Sequence, residues 1–577
     1  MKFKFTNLRL LLKFFKYISP YKKLWFWLVV LSNIGIILSL INPYLAKFII
    51  DVGLVKKDFK SFAILTLLGC VIYLAADLAN RIKDYFYRNI RIKANYELNK
   101  SVFIRLQSFS LGWFKDKTSA EHIYKLNYDI DNIAEFITIR VPAIFFVLFR
   151  LLLILVIVIH LNWKMTLISF LISPFLFLPS RYFGRKMRLI IEDLIRSSEN
   201  IYRYLEETFS HIQLIKVFGR ETASIRSYLE KLISYAGISL KSLKLETVSG
   251  FLVEMLSKAA VGIITFYGGY QVIKGRMSLG SLTAIMVYFG QLVGLENELA
   301  RFFQSALTGL ISCERIDKIL NDDQDTSARS NTSKPIFKKG EIIFRNVSFG
   351  YCPGRSILKN LSFTLPGASR IAIAGRSGCG KTTILSLILG LYDLWEGDIF
   401  IDGHNIREID PGTLKSQVGF ALQEPFLWND SIANNIKYGL DQAGTEEMTE
   451  AARLCGVDDL ASNLTAGFDT VIGENACRIS EGQKQKIAMA RAAIKKPKIM
   501  ILDEAFAAMD SLSEERIISN LKQAQPDMTL IVVSHRLSTV MGMDAVYYLS
   551  GPGAIIIDKP QILIKQDPGF RDLFGTQ

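Results

Sequence analysis

Cysteine is scarce in this chain and organises nothing. The 577 residues hold 6, at Cys70, Cys313, Cys352, Cys379, Cys455 and Cys477, and no two stand at a C-x-x-C or other metal-ligand spacing. That excludes a zinc ribbon, and a chain long enough for several domains needs no disulfide framework to hold a core. The thiols read as reduced, cytosolic or core groups. A cleavable leader is missing too: "MKFKFTNLRLLLKFF" scatters charge through its apolar run and offers no small-residue cleavage site. Acidic residues are scarce in one half only. Residues 1–320 carry 42 Lys and Arg against 23 Asp and Glu, and residues 321–577 carry 27 against 31, so +19 and −4 make up the net +15. Excess positive charge suits nucleic acid or a membrane. Here the basic half is also the apolar half, which points to membrane lipids and sets nucleic acid aside.

What the first half does have is long apolar runs. A membrane-spanning helix needs about 20 such residues. Stretches near 24–46, 61–80, 141–160, 163–180, 248–273 and 277–300 approach that length, and the fourth holds Pro174 and Pro179. Connections 47–60, 161–162 and 274–276 are short, whereas 81–139 and 181–247 are long. The first 23 residues and the two long connections hold 29 Lys and Arg. Positive charge favours the cytoplasmic side, so these segments are expected there. The long connections have few Gly or Pro and read as continuations of the membrane helices. Residues 1–23 read as a basic amphipathic segment on the inner surface.

The third stretch, "VPAIFFVLFRLLLILVIVI", contains a single charge, Arg150. A charge at mid-membrane costs roughly 2.5–3.5 kcal/mol on insertion scales and normally faces the bundle interior or a pathway. Arg150 is therefore a candidate contact for cargo with an anionic group; the alternative is a salt bridge, for instance to Asp77. Glu254 and Lys258 stand four apart and can neutralise each other. No relay of acids runs along the helices.

Residues 321–338, beginning "NDDQDTSARSNTSKP", read as a polar linker. Beyond it, apolar strand-like runs alternate with helical ones, the pattern of an α/β domain. "RIAIAGRSGCGKTTILSLILG" reads as strand, Gly-rich loop, helix. Its loop, Gly375, Arg376, Ser377, Gly378, Cys379 and Gly380, would cradle phosphates on backbone N–H groups. Lys381 would neutralise the β- and γ-phosphates, and Thr382, followed by Thr383, would ligate Mg²⁺. "KIMILDEA" delivers Asp503 and Glu504 from a strand end, one acid for Mg²⁺ and one for activating water. "VVSHRLST" places His535 at another strand end, a candidate γ-phosphate contact. "RISEGQKQK" has Ser480 three residues before Gln483, a capping box at a helix N-terminus, where anions bind.

With these motifs in place the chain resembles an ABC transporter, an exporter-type half-transporter akin to bacterial lipid flippases and multidrug exporters. The resemblance covers nearly the whole chain. It implies that Tyr351 in "VSFGYCPGRSIL" stacks on adenine, and that Gln423 in "ALQEPFLW" senses Mg²⁺ and the membrane domain. It implies that Asp510 ends the D-loop of "DEAFAAMD", and that "ISEGQ" is the signature motif, usually LSGGQ. Ser480 and Gly482 would then contact the γ-phosphate of ATP held by a second chain, with Gln483 near the ribose side. Glu481 replaces a Gly of that motif: either its side chain points away, or one composite site is weakened. Ala507, Ala508 and Met509 depart from the usual D-loop, and "GENACR" lacks its usual Arg and second Gly. "WFKDKTSAEHIYKLNYDID" and "EETFSHIQLIKVFGRE" resemble the cytoplasmic coupling segments.

The expectation is a polytopic α-helical membrane domain of six transmembrane helices with long cytoplasmic extensions, over 24–320, fused to an α/β P-loop ATPase domain over 339–577. With ATP and Mg²⁺ as cofactors, such a chain would export or flip an amphipathic lipid-like, drug-like or peptide substrate by alternating access. It would work as a dimer, a homodimer before a heterodimer, in a bacterial inner membrane with its ATPase domain cytoplasmic. An ATP-gated or regulatory relative that moves nothing uphill is the alternative, against which Glu504 and the short linker argue. A soluble ATPase of this class is excluded by the apolar stretches. A leader-cleaving peptide exporter is disfavoured because no N-terminal protease domain is seen.

Overall fold

The structure, a computed structural model, describes residues 10, 13–115, 119–322, 332–352, 354–440, 442–473, 479–551 and 553–574. Residues 323–331 of the expected linker, 1–9, 11 and 12 of the N-terminal segment, and "ENACR" with Cys477 lie outside them. The chain forms two compact units. One comprises Met1–Ser108 with Asp116–Asp323, the other Phe109–Lys115 with Gln324–Gln577.

The first unit is built on long helices: α1 (Lys22–Phe48), α2 (Phe59–Ser108), α3 (Val141–Leu161), α4 (Trp163–Ser210), α5 (Glu221–Ile273) and α6 (Leu279–Leu320). Each predicted apolar stretch coincides with part of one of them. Among the described residues, four runs are both long and apolar enough to cross a bilayer: Ser19–Leu54, Phe59–Ser108, Glu121–Leu161 and Glu221–Ile273. The apolar part of α6 is shorter, Leu279–Leu295. At about 1.5 Å per residue, the 50 residues of α2 and the 53 of α5 far exceed a hydrocarbon core of ~30 Å. The long connections are thus largely helix, as their lack of Gly and Pro implied.

Side chains start two of these helices. Asn162 accepts the N–H groups of Lys164 and Met165 at 3.1 and 3.2 Å, and Ser278 accepts that of Ser281 at 3.1 Å. A buried apolar cluster including Leu40, Ile154, Met165, Ile264 and Tyr288 joins α1, α3, α4, α5 and α6. The Tyr288 hydroxyl donates to the Leu40 carbonyl. Asp51 accepts the N–H of Gly280 at 2.8 Å, tying the end of the first helical run to the start of α6. Beyond the apolar parts, Asp129 is buried and accepts the Ser312 hydroxyl at 2.7 Å, while Arg315 pairs with Glu199 of α4.

The second unit contains two sheets. Strands β1 (Ile342–Phe349), β2 (Leu358–Leu365), β4 (Glu396–Ile401) and β5 (His404–Asn405) form an antiparallel sheet in the order β2-β1-β4-β5. The second sheet contains β3 (Arg370–Gly375), β6 (Val418–Ala421), β7 (Ile499–Asp503), β8 (Thr529–Val533), β9 (Ala545–Gly551) and β10 (Ala554–Asp558), in the order β10-β9-β3-β8-β7-β6. From β9 to β6 its pairings are parallel. Such strands are covered on both faces, so they read as unbroken apolar runs. All five residues of "IMILD" and of "TLIVV" are buried. Two apolar clusters lie against this sheet, one around Ile373, Ile384 and Ile501, the other around Ala372, Met489 and Leu530.

The short helix Leu111–Lys115 packs within the second unit. Trp113 there is buried and stacks on Phe109 at 4.3 Å, and Gly112 lies against the Tyr392 ring.

Candidate nucleotide site

In open parallel sheets, ligands bind beyond the carboxyl ends of the strands. Here the neighbouring strands β3, β8, β7 and β6 deliver the predicted residues to that one edge. The Gly-rich loop leaves β3, His535 follows β8, Glu504 follows β7 and Gln423 follows β6.

The loop turns into helix α7 (Lys381–Ile388) at Gly380, whose φ is 106°. A Cβ there would sit 2.8 Å from Leu358 Cδ2, so conformation and space both demand glycine. Lys381 is buried, and its ammonium donates to the carbonyls of Gly375 at 2.8 Å and Arg376 at 3.3 Å. The lysine therefore folds back over the Gly-rich loop that precedes it. The Thr382 hydroxyl stands near enough to the Asp503 carboxylate to favour its charged form. Burial raises the Asp503 pKa above the usual carboxylate range and the Glu504 charge raises it further; Thr382 and Lys381 oppose this. A hydroxyl and a carboxylate side by side at a phosphate loop fit a Mg²⁺ that takes its remaining ligands from phosphate and water.

Glu504 carries a φ of 49°, rare for a residue with a side chain. Its N–H bonds to the Val533 carbonyl at 3.0 Å, which fixes the turn. One carboxylate oxygen accepts the Gln423 amide at 2.7 Å, and the other lies 3.0 Å from His535 Nε2. Three segments far apart in sequence thus meet on one carboxylate. Gln423 is committed to Glu504 here. The Tyr351 hydroxyl lies 3.2 Å from Thr383 Oγ1, and its ring meets Tyr392 edge-on at 5.2 Å.

The signature segment opens helix α8 (Glu481–Ala493). The capping box forms: Ser480 N–H donates to Gln483 Oε1 at 2.8 Å, and Gln483 N–H to Ser480 Oγ at 3.4 Å. Gln483 therefore closes its own helix end. Glu481 is exposed and pairs with Lys484 at 2.7 Å. Gly482 runs so close to the D-loop that a Cβ would lie 2.8 Å from the Ala508 carbonyl. Asp510 caps helix α9 (Ser511–Ala524), accepting the N–H of Ser513 at 2.9 Å and its hydroxyl at 2.7 Å. These bonds hold the Asp510 carboxyl below its ordinary range.

Arg150 is half-buried, and its Nε is enclosed without a hydrogen-bond partner among the described residues. Asp77 does not serve it, because Asp77 pairs with Arg81 at 2.8 Å. Glu254 and Lys258 pair at 2.7 Å, as their spacing predicts.

Sequence reasoning missed three connectors. Gln485 Oε1 accepts the Ala508 N–H at 3.2 Å, joining α8 to the D-loop. The Arg491 guanidinium reaches the carbonyls of Phe426 at 2.7 Å and Asn435 at 2.8 Å, joining α8 to the segment after Gln423. Arg536 bonds to Glu514 at 3.1 Å. None belongs to a short motif of its own; the signal available was only that each stands on a helix or loop adjoining one.

Residues 25–295 match the family described as ABC transporter transmembrane region, and residues 358–507 the family described as ABC transporter. The chain is 28% identical to an uncharacterized ABC transporter ATP-binding protein of Bacillus subtilis, over 98% of this chain and 94% of that one. It is 29% identical to an ATP-dependent lipid A-core flippase of Syntrophus aciditrophicus, over 78% and 75%. It is 28% identical to the alpha-hemolysin translocation ATP-binding protein of Escherichia coli O157:H7, over 94% and 76%. Its fold is similar to a solved structure of a bacterial Atm1-family ABC exporter with ATP bound, with a TM-score of 0.89, 24% identity, and 96% and 98% of the two chains covered.

Proposed function

Because the chain belongs to the ABC transporters and joins both of the family's domains in one polypeptide, we propose that it is an exporter half that couples ATP hydrolysis to movement of an amphipathic substrate across a membrane. The observation that carries this is the carboxylate of Glu504, held between Gln423 and His535 at the strand edge beside the phosphate loop. We assign the membrane domain to 24–320, the linker to 321–338 and the ATPase domain to 339–577.

Like other half-transporters of this family, the chain works as a dimer; we assign an identical partner. ATP enters against Gly375–Thr383, with adenine on Tyr351. Lys381 exchanges two backbone carbonyls for phosphate oxygens, which favours a triphosphate strongly because the ammonium is already desolvated. Thr382 and Asp503 are the residues that would hold Mg²⁺, whose chemistry there is neutralisation of phosphate charge. The partner's Ser480 and Gly482 close the site over the γ-phosphate from the end of their helix, where free N–H groups favour an anion. Glu504 then takes hydrogen bonds from the attacking water in place of Gln423, and His535 holds the γ-phosphate. Closure of two such sites and their reopening after hydrolysis drive alternating access. Arg150 offers an anionic group of the cargo a charge-assisted contact. The flippase and toxin-translocation names of the relatives fit a cargo with an amphipathic surface, and a bacterial inner membrane is the assigned location.

The test is Glu504→Gln in the dimer reconstituted in liposomes. Turnover is expected to fall by about 10²–10⁴-fold, the range for loss of a positioned general base, with ATP still bound and occluded. Hydrolysis near the wild-type rate rules out Glu504 as the base.

A further inference from the structure

His535 reaches Glu504 from a loop, and a loop residue holds a hydrogen-bonding position only if its backbone is braced. The brace visible here is the next residue. Arg536 donates its backbone N–H to Ser534 Oγ at 3.1 Å. One guanidinium nitrogen lies 3.1 Å from Glu514 Oε2, and another 3.2 Å from the Ala507 carbonyl. Glu514, in the first turn of α9, has a side chain only 2% exposed, and its other oxygen accepts the Thr539 hydroxyl. Ala507 belongs to the turn after Glu504, where the Ala507 N–H bonds back to the Glu504 carbonyl at 3.1 Å. The chain of contacts therefore runs from His535 through Arg536 to the turn that carries Glu504, and onward to α9, whose cap is Asp510.

We infer that Arg536 is a positioning residue for ATP hydrolysis: its two-pronged guanidinium, anchored on buried Glu514, keeps His535 in register with Glu504 and ties both to the D-loop. This rests on the roles given above to Glu504 and His535. A buried carboxylate with a single cationic partner fixes that partner's position, since breaking the pair strands a charge. The planar fork of arginine meets Glu514 and the Ala507 carbonyl together; a lysine ammonium is a point charge that can satisfy the carboxylate but not both partners in this geometry. Register between base and γ-phosphate contact matters steeply, because displacements near 1 Å can cost about 10²-fold in rate.

The test compares Arg536→Lys, which keeps the ion pair, with the paired change Arg536→Met and Glu514→Gln, which removes the charges together. Both are measured in the full-length dimer for kcat, KM for ATP, fluorescent-nucleotide affinity and melting temperature. The expected result is a fall in kcat of about 10-fold or more, with KM and nucleotide affinity within about two-fold of wild type. In a His535→Ala background, Arg536→Lys should cost no further activity, since a positioning residue loses its effect with the group it positions. Additive loss in that background, unchanged kcat, or loss of nucleotide binding and melting temperature in step with activity would each overturn the inference. Glu504→Gln and His535→Ala serve as controls: if either retains wild-type hydrolysis, the underlying reading fails; if both are impaired while Arg536→Lys is not, only the inference about Arg536 fails.

Discussion

In the ATPase unit the carboxylate of Glu504 has a partner on each oxygen, Gln423 and His535. In the membrane unit the Nε of Arg150 is enclosed with none among the described residues. Both groups are costly to bury, yet they are treated oppositely. A hydrolytic site works on the same substrate in every cycle, so its polar groups can be held ready by each other until the triphosphate displaces them. The cargo role proposed for Arg150 calls for the opposite, a charge left partly unmet until a ligand arrives. Among the described residues, Asp77 with Arg81 and Glu254 with Lys258 instead neutralise locally, each pair along one helix face.

The same contrast separates what could be read in the sequence from what could not. The nucleotide site was legible because its residues sit directly after apolar strands, and a parallel sheet brings such strand ends to one edge whatever lies between them. The six helices were legible from apolar length, and their extensions from the absence of breakers. The partners of individual side chains were not. Nothing in "VVSHRLST" tells that Arg536 reaches a buried Glu514, because that contact joins two separate elements and depends on side-chain direction. The roles of Gln483 and Asp510 illustrate the limit in another way. The resemblance puts Gln483 near a ribose and Asp510 at the end of the D-loop, whereas their side chains here complete helix ends, Gln483 on Ser480 and Asp510 on Ser513.

The largest effect expected concerns where the nucleotide site of one chain ends and its partner's share begins. The phosphate loop lies within one chain, while the proposed site takes its signature end, the start of α8, from the partner; that helix end is capped on itself. Homodimers carrying Lys381→Ala have both sites damaged, and so do homodimers carrying Ser480→Arg. A mixed dimer gathers both lesions in one composite site and leaves the other intact. ATPase activity should therefore rise from near background to a substantial fraction of wild type when the two variants are co-assembled. Mixed dimers, demonstrated by two affinity tags, that remain as inactive as their parents would place the α8 terminus outside its partner's site or show that both sites must fire together.

A smaller effect is expected from the unmet charge. Arg150→Met keeps side-chain length and removes the positive charge. Basal ATPase and melting temperature should stay within about two-fold and a few degrees of wild type, since no hydrogen bond to Arg150 Nε is lost among the described residues. Stimulation by an anionic amphiphile in liposomes should drop by about 10-fold or more, the worth of a hydrogen bond to a charged group, roughly 1.5–3 kcal/mol. Stimulation by a neutral amphiphile of equal chain length should not change. Equal loss for both amphiphiles, or loss of assembly alone, makes Arg150 a structural residue and erases the contrast with Glu504.

The smallest effect concerns Glu481, the acid that stands where the signature motif normally has glycine. Two forces act on it. In the first turn of α8 a carboxylate favours the helix by about 0.3–1 kcal/mol, and near a γ-phosphate it would repel the ligand. Its direction favours the first: the side chain is 66% exposed and its carboxylate pairs with Lys484, one turn along, at 2.7 Å. Paired and screened by solvent, it presents little net charge to an anion at the helix end. Glu481→Gly should therefore leave kcat within about two-fold of wild type and cost the helix only its small electrostatic and conformational contribution. Lys484→Ala should do more, because it frees the carboxylate: KM for ATP should rise by about two- to five-fold at low salt and return toward wild type as salt screens the repulsion. A several-fold gain in turnover on Glu481→Gly, independent of salt, would show instead that Glu481 restrains its composite site, and the signature end of α8 would then be weakened for ATP rather than prepared for it.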